Sequence, residues 1–537
     1  MTFMFNRPLR ALALAAGLGL ASSACTSQLD QVPSYTANAE VVYRDPVQIQ
    51  QSLVRLYATL AVSGQSGPDG QPDITGIGED FSQYLRQYWS MQELASDEGI
   101  IAWNDGNLSD ISRNTWNANN EFIRAIYDRI FYQIGICNEF IRQTSDDKLA
   151  SRGLTDSNVT NTIRQYRAEA RFLRALSYWH AMDMFGNVPF ADETATLGGS
   201  PPPQIGRAAL FTYIEGELKA IEPTLAPARS AYARADQGAC WTLLTKLYLN
   251  AEVYTGTARN TDAVTYANKV LGATTYGLAS EYRLLFLADN DAPAASKEVI
   301  FTVPFDGNRT RTFGGMPFIL HASLGGSVPA ADFGVNGGWS GLRIKPNIVN
   351  LFPGFPGATA DTRATFYTAG QTRTISDLFD FTQGYLVTKY KNVTSAGRPG
   401  SSAQANGGDG NFVDIDYPMF RLADVKLMYA EALLRGGSGG TAGTALDQVN
   451  DVRRRSGATT LATVQLSDIL DERGRELYWE AHRRTDLIRF GRFATGNNWP
   501  QKGGLATGRD IATFRTLFPI PATDLAANPN LKQNPGY

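Results

Sequence analysis

The chain has 537 residues, 43% hydrophobic and only 19% charged, enough apolar content to bury a large core, which excludes a disordered tail or a disulfide-held mini-protein. Lys and Arg number 49 against 52 Asp and Glu, a formal charge of -3, so the basic surplus of a nucleic-acid binder is missing. Cys25, Cys137 and Cys240 form no CxxC pair, and His180, His321 and His482 show no HExxH spacing; no metal centre and no cofactor is expected.

Residues 1–24 carry Arg7 and Arg10, an apolar run from Ala11 to Ala21 and the small residues Ser22, Ser23 and Ala24 before Cys25. This is signal-peptide grammar, and the run is shorter than the roughly 20 residues a membrane-crossing helix needs. Small residues ending at a cysteine resemble the bacterial lipobox, which would make Cys25 a lipid anchor. An ordinary secretory leader with an incidental cysteine is the plainer alternative. Cys137 and Cys240 fall in amphipathic segments and read as buried thiols.

Apolar residues recur at helical spacing over Ile123–Ile141, Tyr166–Met184, Leu210–Leu225, Cys240–Tyr254, Ala263–Leu271, Val425–Leu434, Ala445–Val452 and Leu466–Phe490. Gly186 and Pro189 stop the second of these. Helices joined by short links bury their apolar faces by stacking in pairs, which predicts a mostly α, tetratricopeptide-like helix-pair superhelix. From about Tyr282 to Tyr417 the texture turns to Gly, Pro, Ser and Asn, with short runs such as Glu298–Val303 and Tyr385–Tyr390. That stretch reads as a loop-rich insertion with a few short strands. Four regions follow: 1–24 leader, 25–281 helical, 282–417 insertion, 418–537 helical. Gly397–Gly410 reads as a mobile surface loop without chemistry.

Two clusters suggest catalysis or anion binding. Glu472, Glu476 and Glu480 fall at i, i+4 and i+8 of one predicted helix, and paired carboxylates are what a glycosidase uses. Arginines crowd the same segment, so structural ion pairing is the preferred reading. Arg167, Arg171 and Arg174, with Arg164 nearby, form a stripe that reads as structural too, with Glu169 and Asp183 as available partners. GxSxG and P-loop motifs are missing from the sequence.

Sugar capture needs aromatic rings to stack on pyranose CH faces and amides or acids to bond the hydroxyls. Two loops supply both. SDEGIIAWNDGNLSD holds Trp103, Asn104 and Asp105; DFGVNGGWSGLRIKP holds Phe333 and Trp339, with Asn336 and Arg343 as weaker members. Trp89 and Tyr385 sit in regular patterns that bury them. No basic cluster accompanies the loops, which favours a neutral glycan.

The ordered set LDQVP after Cys25, QQSLVRLYATL, YRAEARFLRALSYWHAMDMFGNVPF, FRLADVKLMYAEALL, ALDQVNDVRRRSG, DERGRELYWEAHRRTDLIRFGRF and the ending PIPATDLAANPNLKQNPGY resembles the SusD/RagB family of outer-membrane nutrient-binding lipoproteins. The resemblance spans nearly the whole chain beyond the leader. It implies a helical fold with four tetratricopeptide-like pairs, a lipid-anchored place on the cell surface, and no catalysis. It also implies capture of a glycan or oligosaccharide for a SusC-type TonB-dependent transporter. Capture of a peptide or another nutrient stays open inside the family, and a secreted glycosidase using Glu472 and Glu476 outside it.

Overall fold

The computed structural model describes residues 39–64, 67–68, 72–196 and 198–537; the leader and Cys25 lie outside the described residues. The helices that build the body are α1 (Pro46–Ala58), α2 (Tyr84–Glu93), α3 (Glu121–Gln143), α4 (Ser157–Phe185), α5 (Arg207–Ile221), α6 (Gln237–Leu249), α7 (Asn260–Leu271), α8 (Gly315–His321), α9 (Leu422–Leu434), α10 (Ala445–Arg455), α11 (Leu466–Leu477) and α12 (Arg483–Arg489). The strands used below are β1 (Gly99–Ile101), β2 (Val299–Val303), β3 (Leu342–Ile344), β4 (Leu386–Val387) and β5 (Tyr417–Arg421). Among the described residues no helix is long and apolar enough to cross a membrane.

Helix α3 starts where the Asn120 side chain accepts from the amides of Phe122 and Ile123 at 3.1 and 3.0 Å, filling bonds that a helix start otherwise lacks. Its apolar stripe, Phe122, Ile126, Ile130, Ile134, Cys137 and Ile141, faces α4. Helix α4, capped by Asp156 and ended by Gly186 at φ +72°, is the central element: from Ala168 to Phe185 every residue but Arg171 is buried. Ala and Ser at its contact positions let α3 and α5 approach. The stacking continues as α6 against α7, α7 against α9, and α9 against α10 and α11. The fold is thus mostly α and tetratricopeptide-like. Cys137 and Cys240 are free, buried thiols.

The sheets are small. β2 pairs antiparallel with β5, leading directly into α9. β1 pairs antiparallel with β3, with Gly99 opposite Ile344 and Ile101 opposite Leu342. Of the expected Tyr385–Tyr390 strand only β4 forms.

Three expectations need correction. The segment Leu466–Phe490 is two helices, broken at Tyr478–His482, where Trp479 and Ala481 take φ of +66° and +60°. This break turns Glu480 off the helix face predicted for it, toward Arg421 and Lys389. Likewise Cys240–Tyr254 divides at Asn250, whose amide donates to the Lys246 carbonyl at 2.9 Å. The arginine stripe on α4 is structural, but its partners are Asp146, Glu193 and Glu217 in place of Glu169 and Asp183. Those two acids sit on the buried side of α4: Glu169 takes the Tyr57 hydroxyl at 2.6 Å and Arg234, and Asp183 takes the hydroxyls of Tyr254 and Thr485 at 2.8 and 2.9 Å.

Candidate functional site

The glutamates come first, because two carboxylates on one helix invite a catalytic reading. Glu472 pairs with Arg363, Arg453 and Arg475 at 2.6–2.9 Å. Glu476 pairs with Arg363 at 3.0 Å, Arg421 at 2.6 Å and with Arg455, and Glu480 with Lys389 and Arg421 at 2.6 Å each. All three are buried. Burial pushes the Glu476 carboxyl up, but the guanidiniums of Arg455, Arg421 and Arg363 outweigh it and hold the group far below the usual carboxylate range. A general acid needs the opposite, a raised pKa and open space for a substrate. These groups lock α10, α11 and β5 together.

Ser96, Asp97 and Glu98, just before the first sugar-binding candidate, are equally structural. All are buried; Asp97 holds Arg483 at 2.7 Å, and Glu98 accepts the Trp479 amide at 3.1 Å. They anchor β1 against the C-terminal helices, so the chain leaves the core at a fixed point and direction. β3 leaves beside it.

That pairing brings the two candidate loops together. The Ala102 amide donates to the Gly341 carbonyl at 2.9 Å, and the Trp103 indole N–H donates to the Trp339 carbonyl at 3.1 Å. The two indoles lie 6.4 Å apart between centroids, tilted by 38°, both partly exposed. Gly341 lies under Trp103: a Cβ there would come within 2.7 Å of the indole Cε2. One face of Trp339 is covered by the buried His321 ring, stacked at 4.7 Å and 12°, while Trp339 as a whole stays partly exposed. The His321 nitrogens Nδ1 and Nε2 sit 2.6 and 3.0 Å from the carbonyls of Gly337 and Asn411. Burial lowers that imidazole, while the two carbonyl contacts act the other way.

Asn104 and Asp105 stand exposed beside Trp103, and their side chains bond no other described residue, so both are open to a ligand. Asn336 is exposed, but its side-chain amide donates to the Asp409 carbonyl at 2.9 Å and to Asn411 Oδ1 at 2.6 Å. Its donors therefore tie the Trp339 turn to the 409–411 loop, leaving only its carbonyl for a ligand. Gly397–Gly410, read from sequence as a loop without chemistry, is folded into hydrogen-bonded turns and carries this tie. Arg343 and Phe333 are buried, as are Trp89 and Tyr385.

The structure adds residues that sequence reasoning missed. Phe313, partly exposed, lies 6.3 Å from Trp339 and 5.5 Å from Phe412, extending the aromatic strip to three rings. Arg86 stacks 4.2 Å over Phe318 and 5.9 Å over Trp103. Burial lowers its pKa to about 10, so it stays a cation beside the strip; one N–H donates to the Asp80 carbonyl at 2.6 Å, and the other donors remain for a ligand. Neither stands in a loop with a recognisable pattern, and only the fold brings them in. Among the described residues no group of His, Cys, Asp and Glu is placed to hold a metal ion. The arrangement offers ring faces, amides and one guanidinium, parts suited to hold a polyhydroxylated ligand and not to cleave it.

The chain is similar to known proteins over most of its length. The model of the SusD family matches residues 361–537. The starch-binding protein SusD of Bacteroides thetaiotaomicron is 34% identical, covering 91% of this chain and 92% of that one. Among solved structures, surface glycan-binding protein A from Bacteroides fluxus superposes with a TM-score of 0.70 at 20% identity, covering 91% of this chain and 99% of that one. Surface glycan-binding protein A from B. thetaiotaomicron, in complex with laminarihexaose, gives 0.68 at 18% identity, covering 91% and 99%. These relatives are named for binding, and this chain is a non-catalytic protein of their kind. With more than a third of its residues identical to one relative across nearly all of both chains, and the family's fold throughout, the chain belongs to the SusD family.

Proposed function

We propose that this protein captures a neutral glucan at the cell surface, lipid-anchored through Cys25, and passes it to a SusC-type TonB-dependent outer-membrane transporter. The observation that carries the reading is the partly exposed strip Trp103, Trp339 and Phe313, with one Trp339 face packed by His321. Rings fixed in this way stack sugar CH faces without a further ordering cost on binding. Asn104, Asp105, the carbonyl of Asn336 and the donors of Arg86 would bond the hydroxyls. An α-glucan is the first choice because the 34% identical relative is named starch-binding; a β-glucan is second, from the laminarihexaose complex of a fold neighbour.

Titration calorimetry of the chain from Thr26 onward with maltoheptaose and with laminarihexaose tests both. Replacing Trp103 and Trp339 together by Ala is expected to lower affinity for the bound glucan at least about tenfold, roughly 1.4 kcal/mol, with the melting temperature nearly unchanged. Unaltered affinity would discard the site and leave the family standing.

A further inference from the structure

Beyond the aromatic strip, one loop is held with unusual rigidity for what it displays. The loop running from Ile375 to Gln383 packs Ile375 and Leu378 on Ile100 of β1. Arg343 of β3, fully buried, turns its guanidinium into this loop, donating to the carbonyls of Leu378 at 2.6 Å, of Gln383 at 3.0 Å, and of Asp380. Gln383 Oε1 accepts from the amides of Ser376 and Asp377 at 2.7 and 2.9 Å, and Asp377 accepts the Phe379 amide at 2.9 Å. A buried arginine committed to three carbonyls fixes a backbone strongly, since charge-assisted bonds are about twice as strong as neutral ones. The side chain this frame presents is Phe379, 39% exposed.

Phe379 is not isolated. The Arg113 guanidinium lies 5.3 Å from its ring centroid. Arg113 ends the helical turn Ser109–Arg113 that follows the Trp103 loop, and it donates to Ser109 Oγ at 3.1 Å. It makes no ion pair with any described residue, so most of its donors are open. The same loop comes close to the Trp339 turn: a Cβ placed on Gly325 would meet both the Ser340 hydroxyl and, at 2.9 Å, the Phe381 ring. A part-exposed ring beside a guanidinium without an ion pair thus stands on two segments, one following the Trp103 loop in sequence and the other lying close to the Trp339 turn. These are the parts found at Trp103 and Arg86.

We infer that Phe379 and Arg113 form a second sugar subsite, taking units of a long neutral glycan that extends past the Trp103–Trp339 strip. The inference rests on the proposed glucan reading. It makes this protein a reader of chain length: short oligosaccharides fill the strip alone, and longer ones gain the second contact.

Calorimetry with maltotriose and maltodecaose on the wild-type chain and on Phe379→Ala and Arg113→Gln tests it, with the laminari-oligosaccharides of matching lengths in parallel. In whichever series the wild type binds, each variant is expected to lose about fivefold in affinity for the long member, the scale of one aromatic contact. The short member is expected to bind as before. Equal long-chain affinity in wild type and variants, with the wild type still binding, overturns the subsite and spares the proposed function. Retained long-chain affinity with lost co-purification of a transporter overturns it in favour of a protein-docking patch. Binding of neither series by the wild type overturns both. Phe379 is exposed, and equal melting temperatures confirm that the variants fold.

Discussion

At the residue scale the site depends on small groups as much as on its rings. Gly341 has no need of a left-handed backbone; its lack of a side chain matters only because Trp103 lies across it. Gly341→Ala is therefore conformationally permitted and acts on a single neighbour. The added methyl would overlap the indole, which must swing away and give up its bond to the Trp339 carbonyl. We expect glucan affinity to fall about as far as in a Trp103→Ala variant, by roughly 1 kcal/mol or more, with the melting temperature shifted by only a few degrees. Calorimetry and tryptophan emission check this. A variant that binds like wild type would mean that the Trp103 position is not what the ligand reads. His321 works in the same indirect way, supporting one face of Trp339.

At the scale of elements, the junction of α2, β1, α11 and α12 is held by buried carboxyls of opposite titration behaviour. Glu93 and Glu98 are both buried; Glu93 accepts the Ala481 amide at 2.6 Å and Glu98 the Trp479 amide at 3.1 Å, serving the two left-handed residues of the break. Burial and then the facing Glu98 charge hold the Glu93 carboxyl well above its usual range. Its folded pKa is raised, so its contribution is complete below the unfolded value of about 4.3 and declines as pH rises through the folded one. Glu476 is the reverse: held far down by its arginines, it contributes above about pH 4.3, and that contribution is lost as pH falls toward its folded pKa. Glu93→Gln, which keeps a neutral acceptor, is expected to leave stability near pH 4 nearly unchanged and to raise it at pH 7, flattening the decline that sets in above about pH 4.3. Glu476→Gln strands buried guanidiniums and is expected to cost about 3–5 kcal/mol at pH 7. Urea unfolding at pH 5, 7 and 9 separates them, and the same pH profile in both variants would refute the assignment. This junction also marks where sequence reading stops. Helical spacing located α3, α4, α7, α9 and α10 well because each keeps an apolar stripe. The stripe of Leu466–Phe490 continues across the break, whose cause is tertiary: amides of Trp479 and Ala481 find acceptors 381 and 388 residues earlier in the chain. For the same reason Trp103 and Trp339 were legible as loop aromatics, while Phe313, Arg86 and the role of Arg343 were not, since each acquires its meaning from a neighbour remote in sequence.

At the scale of the whole molecule those remote bonds alter how a helical-repeat protein should unfold. In an open solenoid each repeat touches only its neighbours, and pieces can fold alone. Here the C-terminal third closes on the earlier part of the chain. Arg483 pairs with Asp97, Arg484 with Asp183, and Asp424 with Lys246; Arg421 and Arg455 both reach Glu298. Near the end of the chain the Trp116 indole donates to the Tyr537 hydroxyl at 2.6 Å, and the Asn534 amide donates to the Phe185 carbonyl at 2.8 Å. Cutting before residue 361 would leave the segment matched by the family model with several of these charges buried and unpaired. At about 3–5 kcal/mol for each broken buried pair, the loss exceeds the roughly 5–15 kcal/mol that ordinarily separates folded from unfolded chains. We therefore expect the isolated 361–537 segment to be unfolded by circular dichroism and amide NMR, and the full chain to melt in one calorimetric transition despite its length. A well-dispersed amide spectrum from that segment, or two resolved transitions in the intact protein, would show that the closure of the end onto the beginning is not what holds the body that carries the binding strip.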